Sequence, residues 1–425
     1  MAEKSMDRKL AEIRANPNSK AFIIADAKDA DMARGIQSCG RHSPEYYHGE
    51  VRFRSIQEYR QMMRDVVHQG LVDIMLMSAS SNEVLTIQER LFDNSHVTPA
   101  GRCNDTTDIH TFRGSSYETM ASRPFRTATI DHLQCGKYEC APEERSIGCN
   151  LGLYSMTFNN DVDRDMASLQ AFKEFRLEAE AKEMRYFLEV FDPNIPGTVD
   201  PHLIGAFVND AIVRSLAGVT ERGRPLFLKM VYHGPKFMEE LVSYDPSIIV
   251  GILGGSSGTT YDAFKLIADT QKYGGHVALF GRKINNAENQ LVFIKFLRMI
   301  VDGEISAEEA VKAYHGVLQE LKLKPQRSLA DDMVLTDPAM SYSGRSAVTV
   351  PAQPPQPKPA YSQPAAAKPA SAPAPVTAAA PAPAAAAKPV PSRPRMVDEE
   401  EPDFTKMTPE EKIEYNQRRR DRIFG

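Results

Sequence analysis

The chain contains no uninterrupted apolar run long enough to cross a bilayer, so a membrane partner is not expected. It also lacks an excess of positive charge. Lys and Arg total 51 against 56 Asp and Glu, a formal net charge of -5. Nucleic acid is therefore not an expected partner, although one local positive site is enough for an anionic small molecule. Cysteine is sparse and odd in number: Cys39, Cys103, Cys135, Cys140 and Cys149. That usage implies reduced thiols rather than a disulfide framework. His132, Cys135, Cys140 and Cys149 lie near one another, but the tight Cys-x-x-Cys spacing of structural zinc sites is missing, and no metal is expected. The stretch Met1 to Lys9 has no apolar core of a signal peptide, and the expectation is a cytoplasmic chain.

What is present divides into zones. Residues 1–19 form an N-terminal helix, and 20–325 alternate short apolar runs with amphipathic segments. Residues 326–395 read as a disordered linker, whose composition collapses from about 345 to Ala, Pro, Ser and Lys and cannot bury a core. Residues 396–425 make a charged, helical-looking tail, with Thr408, Pro409, Glu410 and Glu411 as a helix start. Within 20–325, apolar runs occur at 21–25, 71–77, 96–99, 151–158, 186–191, 225–232, 247–253 and 276–280, mostly separated by helix-length segments. Runs that hardly alternate belong to strands covered on both faces. About eight strand–helix units favour a (β/α)8 TIM barrel, which typically takes roughly 250 residues. An insertion at about 114–149 interrupts the pattern, and Ser306 with Glu309 spells a capping box for a late helix.

In such a barrel the carboxyl ends of the strands face the active site. The runs end on Asp26, Ser78, Asn159, Glu189, Lys229, Gly254 with Gly255, and Gly281 with Arg282. Lys229 closes an apolar strand, where burial disfavours the charged form of an amine and frees it to attack a carbonyl carbon. Its bland alternative is a lysine snorkelling to solvent. Glu189, on the preceding strand, can move protons, or can merely pair with Lys229. Asp26 can hold Lys229 or substrate hydroxyls, or cap a helix. Gly254, Gly255, Ser256 and Ser257 after the seventh strand, and Gly281 and Arg282 after the eighth, suit a phosphate cradle. Lys28 and Asn159 are further substrate-contact candidates, and Asn104 and Asp105 offer similar groups.

These elements resemble the class I, Schiff-base aldolases of the tagatose-bisphosphate aldolase type. The first strand ending in Asp26, Tyr186-Phe187-Leu188-Glu189, Leu228-Lys229-Met230-Val231-Tyr232, Gly254-Gly255-Ser256-Ser257 and Gly281-Arg282-Lys283-Ile284 carry the resemblance. It implies a TIM barrel that forms or cleaves a carbon–carbon bond in a phosphorylated sugar. Lys229 would be the Schiff-base lysine, Glu189 the acid/base and Asp26 the first-strand aspartate, with no cofactor and commonly with self-association. Archaeal-type relatives carry a tyrosine followed by proline and arginine after the fifth strand. Here Phe191-Asp192-Pro193 stands there, which moves the acid/base role to Glu189. A barrel isomerase using Glu189 as base, or a sugar-phosphate-binding scaffold, remain alternatives. Beyond the linker, residues 404–425 are similar to targeting peptides that dock enzymes into bacterial microcompartments or other assemblies.

Overall fold

The computed structural model describes residues 3–16, 18–33, 35–41, 53–254, 258–336 and Thr408. The tail and nearly all of the linker therefore lie outside the described residues. Eight parallel strands close into a barrel: β1 (Ile23–Lys28), β2 (Ile74–Met77), β3 (Thr98–Arg102), β6 (Leu151–Thr157), β7 (Arg185–Phe191), β8 (Leu228–Met230), β9 (Gly251–Leu253) and β10 (Val277–Phe280). They follow one another around the ring in chain order, with β10 pairing back on β1. Each apolar run expected to be a strand supplies one of them. The TIM-barrel expectation holds.

Period-two alternation divides each strand between two environments. Ile23, Ala25 and Ala27 of β1 share the barrel interior with Ile74, Leu76, Leu151, Leu153, Phe187, Phe227, Ile249, Val277 and Leu279. Phe187 and Phe227 stack there, with ring centroids 4.7 Å apart. The alternate residues, such as Ile24, Met75, Met77, Leu188 and Met230, pack outward against the helices. The outer layer includes α2 (Ile56–Gln69), α5 (Val162–Ala181), α6 (Ile204–Ala217), α8 (Thr260–Lys272), α10 (Gln290–Val301) and α11 (Ala307–Glu320). The capping box expected from Ser306 and Glu309 starts α11.

The amino end of the barrel is plugged by α1 (Ser5–Ala15). Its Met6, Leu10 and Ile13 join the interior apolar layer. One buried carboxylate fastens this plug. Asp73, just before β2, accepts from Ser5 Oγ (2.7 Å), the Ile24 amide (2.9 Å), Lys9 Nζ (2.8 Å) and Arg298 Nη2 (2.7 Å).

The insertion between β3 and β6 contains β4 (Asp105–Thr106), antiparallel to β5 (Pro124–Phe125), and then α4 (Ile130–Cys135). Parallel neighbours need a crossover, and α4 provides it, burying Ile130 and Leu133. A Cβ on Gly101 would lie 2.5 Å from Leu133 Cδ2, so any larger residue there would displace the Leu133 side chain of α4. Cys135 and Cys140 form a disulfide, with Cα atoms 6.1 Å apart, which corrects the expectation of uniformly reduced thiols. Sequence spacing gave no sign of the local turn after α4 that brings them together. Cys39, Cys103 and Cys149 are free and buried.

At the other end, folded structure extends past the linker boundary expected at residue 326. Residues Leu329–Asp332 form a short helix, α12, and Thr336 is buried. Met333 packs against the apolar layer, and polar contacts fasten the segment. The Thr336 amide donates to Asp262 Oδ1 (2.8 Å), and the Thr260 amide donates to Asp332 Oδ1 (2.7 Å).

Burial pushes the Asp73 carboxyl up, but Arg298 and Lys9 outweigh it and hold it below the ordinary carboxylate value. A depressed native pKa gives stability that is fully present above the unfolded value of about 3.9 and is lost as pH falls through the native value. We expect Asp73→Asn to lower unfolding stability by about 3 kcal/mol at pH 7. Urea unfolding at pH 7, 4 and 3 should show a smaller acid-induced loss in the variant than in the parent. Equal losses would remove Asp73 from the acid response.

Candidate active site

The inward residues at the carboxyl end of the barrel are not all apolar. Ser155, Glu189 and Lys229 are register partners across β6, β7 and β8, so their side chains line one level of the interior. Lys229 Nζ lies 2.5 Å from Glu189 Oε1. The other carboxylate oxygen, Oε2, accepts from Ser155 Oγ at 2.6 Å and from Arg102 Nη2 at 3.4 Å. Arg102, the last residue of β3, also donates from Nη1 to Ser155 Oγ (2.8 Å) and from Nε to Asp29 Oδ2 (2.5 Å). Asp29, Arg102, Glu189 and Lys229 are all buried. Two carboxylates and two cations thus share a nearly dry space and neutralise one another.

Burial opposes the charge on Asp29, but Arg102 and Lys229 outweigh it and hold its carboxyl below the ordinary value. Burial likewise opposes the Arg102 charge. The carboxylates of Asp29 and Glu189 more than offset that and raise its pKa.

Lys229 and Glu189 therefore meet as the sequence suggested, and Asp26 does not join them. Residues 23, 25 and 27 face the interior, so Asp26 and Lys28 face the helix layer. They pair there, with Lys28 Nζ 3.0 Å from Asp26 Oδ1, and both are fully buried. Burial raises the Asp26 pKa against the pull of Lys28, and lowers that of Lys28 against the pull of Asp26. The aspartate that joins the Lys229 group, through Arg102, is Asp29, one residue beyond β1 and of the opposite parity to Asp26. Lys28 is sealed against Asp26 and presents no open cation to a phosphate.

Asn159 is also buried and engaged. Its Nδ2 donates to Asn194 Oδ1 (2.9 Å), and its Oδ1 accepts from the amides of Asn194 (3.0 Å) and Ile195 (3.2 Å), so it shapes the loop after β7. Gly254 and Gly281 stand at the ends of the paired strands β9 and β10. Gly255, Ser256 and Ser257 lie outside the described residues. Arg282 opens a short helix, α9 (Arg282–Asn285), and is exposed. The neighbouring Lys283 has its pKa pushed down to about 8 by burial, with Asp332 opposing. At the start of α8 the Thr260 amide is taken by Asp332, so an internal carboxylate already sits where an anion would bind a helix end.

Sequence reading missed Asp29, Arg102, Ser155 and His110. Strict alternation from Ile23 to Ala27 carries the signal for Asp29. Arg102 ends the weakest strand pattern, where no apolar run marked the boundary. Asn104, by contrast, grips the backbone of Ser155 through Nδ2 (2.8 Å) and Oδ1 (2.7 Å), and so supports the site from beneath.

Solved structures of known proteins share this architecture. The fructose-bisphosphate aldolase from Slackia heliotrinireducens DSM 20476 aligns with TM-score 0.52 at 11% identity, over 73% of this chain and 91% of that one. An archaeal fructose 1,6-bisphosphate aldolase aligns at 15% identity and TM-score 0.47, over 69% of this chain and 99% of that one. At 11% identity the likeness to the Slackia heliotrinireducens structure shows the barrel fold alone. No protein-family model and no curated protein matches the chain. Among the described residues, no helix is long and apolar enough to cross a membrane.

The two buried pairs separate stability from chemistry. Asp26→Ala strands a buried ammonium and should cost about 3–5 kcal/mol of stability. Joint replacement, Asp26→Leu with Lys28→Met, should recover most of that loss. Chemical unfolding of the three proteins measures this. A single variant as stable as the parent would mean that the pair is not sealed.

Proposed function

We propose that the chain is a class I aldolase that makes or breaks a carbon–carbon bond in a phosphorylated sugar through a Schiff base on Lys229. One observation carries the reading: an amine and a carboxylate 2.5 Å apart, inside the carboxyl end of a closed barrel. Glu189 can take the proton that Lys229 must lose before it attacks. The nitrogen lone pair then bonds to the ketone carbon, and the carbonyl π electrons move to oxygen. Glu189 returns its proton to that oxygen, then takes a second proton from the nitrogen and passes it to the new hydroxyl, and water leaves as the iminium forms. Glu189, again a carboxylate, takes the proton of the hydroxyl two carbons from the iminium carbon, and the bond between the intervening carbon and the hydroxyl-bearing carbon breaks into the iminium. An aldehyde departs and an enamine remains on Lys229. The enamine takes up a proton, and water hydrolyses the resulting iminium to release the second product.

Asp29 and Arg102 fix the Glu189 side of this arrangement. Arg102 supplies charge to Glu189 Oε2, while Ser155 holds that same oxygen at 2.6 Å. Oε1 is thereby left to the amine. Preorganised charges in a dry site exert more force than in water. The phosphate part of the reading is supported by Gly254 and Gly281 at adjoining strand ends and by the exposed cation of Arg282.

Borohydride added with a panel of ketose phosphates should attach a sugar-sized mass to the peptide containing Lys229. Lys229→Met should show no adduct and no aldehyde release. Glu189→Gln should still be trapped, with turnover lower by roughly 100-fold or more. Absence of adduct across the panel, or an adduct that survives in Lys229→Met, would sink the assignment.

A further inference from the structure

The turn after β4 lies across the mouth of the barrel. Asp108 accepts from Thr157 Oγ1 at the end of β6 (3.1 Å) and from Ser122 Oγ (2.8 Å). Ile109 packs on Phe191, Val231 and Leu253. Phe191 and Val231 stand two residues beyond Glu189 and Lys229 on the same inward faces, so the turn sits directly above the ion pair.

His110 follows Ile109 and is 6% exposed. Its Nδ1 lies 3.0 Å from the Thr106 amide nitrogen. The Thr106 carbonyl oxygen, 3.3 Å from Nδ1, already accepts from the His110 amide (2.8 Å), and a backbone N–H can only donate, so Nδ1 accepts in the shorter contact and the ring proton resides on Nε2. Nε2 has no hydrogen-bond partner among the described residues and keeps slight accessibility, so its N–H is free for a ligand. The charged groups acting on the ring are Arg102 of β3, Asp29 beyond β1 and Lys229 of β8. Burial and then Arg102 hold the imidazole well below its ordinary pKa against the pull of Asp29, so it is neutral near pH 7.

We propose that His110 is a further catalytic residue of the Lys229 site, donating a hydrogen bond from Nε2 to the carbonyl oxygen of a ketose phosphate while Lys229 attacks the adjoining carbon. This rests on the Schiff-base reading above. As the N–C bond forms, the π electrons collect on oxygen, and the fixed N–H meets that charge without giving up its proton. The proton that completes the carbinolamine comes from Lys229 through Glu189. A neutral donor suits this step, because an imidazolium beside Arg102 and Lys229 would add a third positive charge to the pocket.

Two variants dissect the ring. His110→Asn keeps an acceptor near the Nδ1 position for the Thr106 amide but loses the distal N–H. His110→Gln places a donor near Nε2. Rapid-quench borohydride trapping with a ketose phosphate measures the rate of imine formation. We expect about a 100-fold slower rate in His110→Asn with thermal stability within a few degrees of the parent, and at least tenfold recovery in His110→Gln. In the full-length parent labelled with 15N-histidine, the His110 resonances should show the Nε2–H form from about pH 5 to 8, and Nε2 should shift when ketose phosphate is added.

Parent-like trapping in His110→Asn would overturn the role of His110 while leaving Lys229 in place. An Nε2 resonance indifferent to saturating ketose phosphate, in a parent that is trapped normally, would do the same even if the variants fail to fold. A parent that forms no adduct overturns both readings.

Discussion

Charge neutrality inside a closed ring of strands is the constraint on which this structure turns. The barrel interior has little water with which to screen a charge, so each inward ionic group needs a partner that also points inward. Asp29 and Glu189 supply two negative charges, and Arg102 and Lys229 supply two positive ones. Arg102 is the pivot, because its planar fork reaches both carboxylates and Ser155 at once. A lysine in that position would present a point charge and could not hold the three groups in one plane. The pairing of Lys229 with Glu189 is thus the remainder of a larger balance.

The outward face of β1 repeats the problem on a smaller scale. Asp26 and Lys28 are two residues apart on one strand and neutralise each other beneath the helix layer. The two ionic systems are separated by the thickness of the sheet, and strand alternation assigns each residue to one or the other. Residues 23–29 therefore contribute to both, with Asp29 crossing to the interior set.

Much of the fold was legible because it rests on local apolar runs. Seven barrel strands overlap strong apolar runs, β3 shares only Thr98 and Pro99 with a weak one, and the capping box of Ser306 and Glu309 spells its helix directly. The Glu189–Lys229 pair was legible for a similar reason, since each is the lone charge within a strong apolar run. What was not legible depended on parity or on long-range polar contacts. Asp26 looked like the strand-end carboxylate, yet one residue of register exchanges interior for exterior. Arg102 sits at the end of Thr-Pro-Ala-Gly-Arg, a strand with little apolar signature. The insertion read as an oversized loop from about 114, whereas the segment between β3 and β6 furnishes the crossover helix α4 and, ahead of that bound, the turn holding Ile109 and His110 above the site. No local pattern announces that a segment 40 or more residues from its partners will lie over them.

The seat of Asp332 on the first turn of α8 bears on where the folded body ends. The carboxylate satisfies the Thr260 amide, faces His315 Nε2 at 2.9 Å and lies near Lys283. Composition alone would trim the chain ahead of this residue. Such a cut would strip a helix end of its resident anion and leave a histidine and a lysine facing a vacancy of matching charge. The opening of α8 would then become a place where a free inorganic anion collects, created by the scissors rather than inherited from the protein.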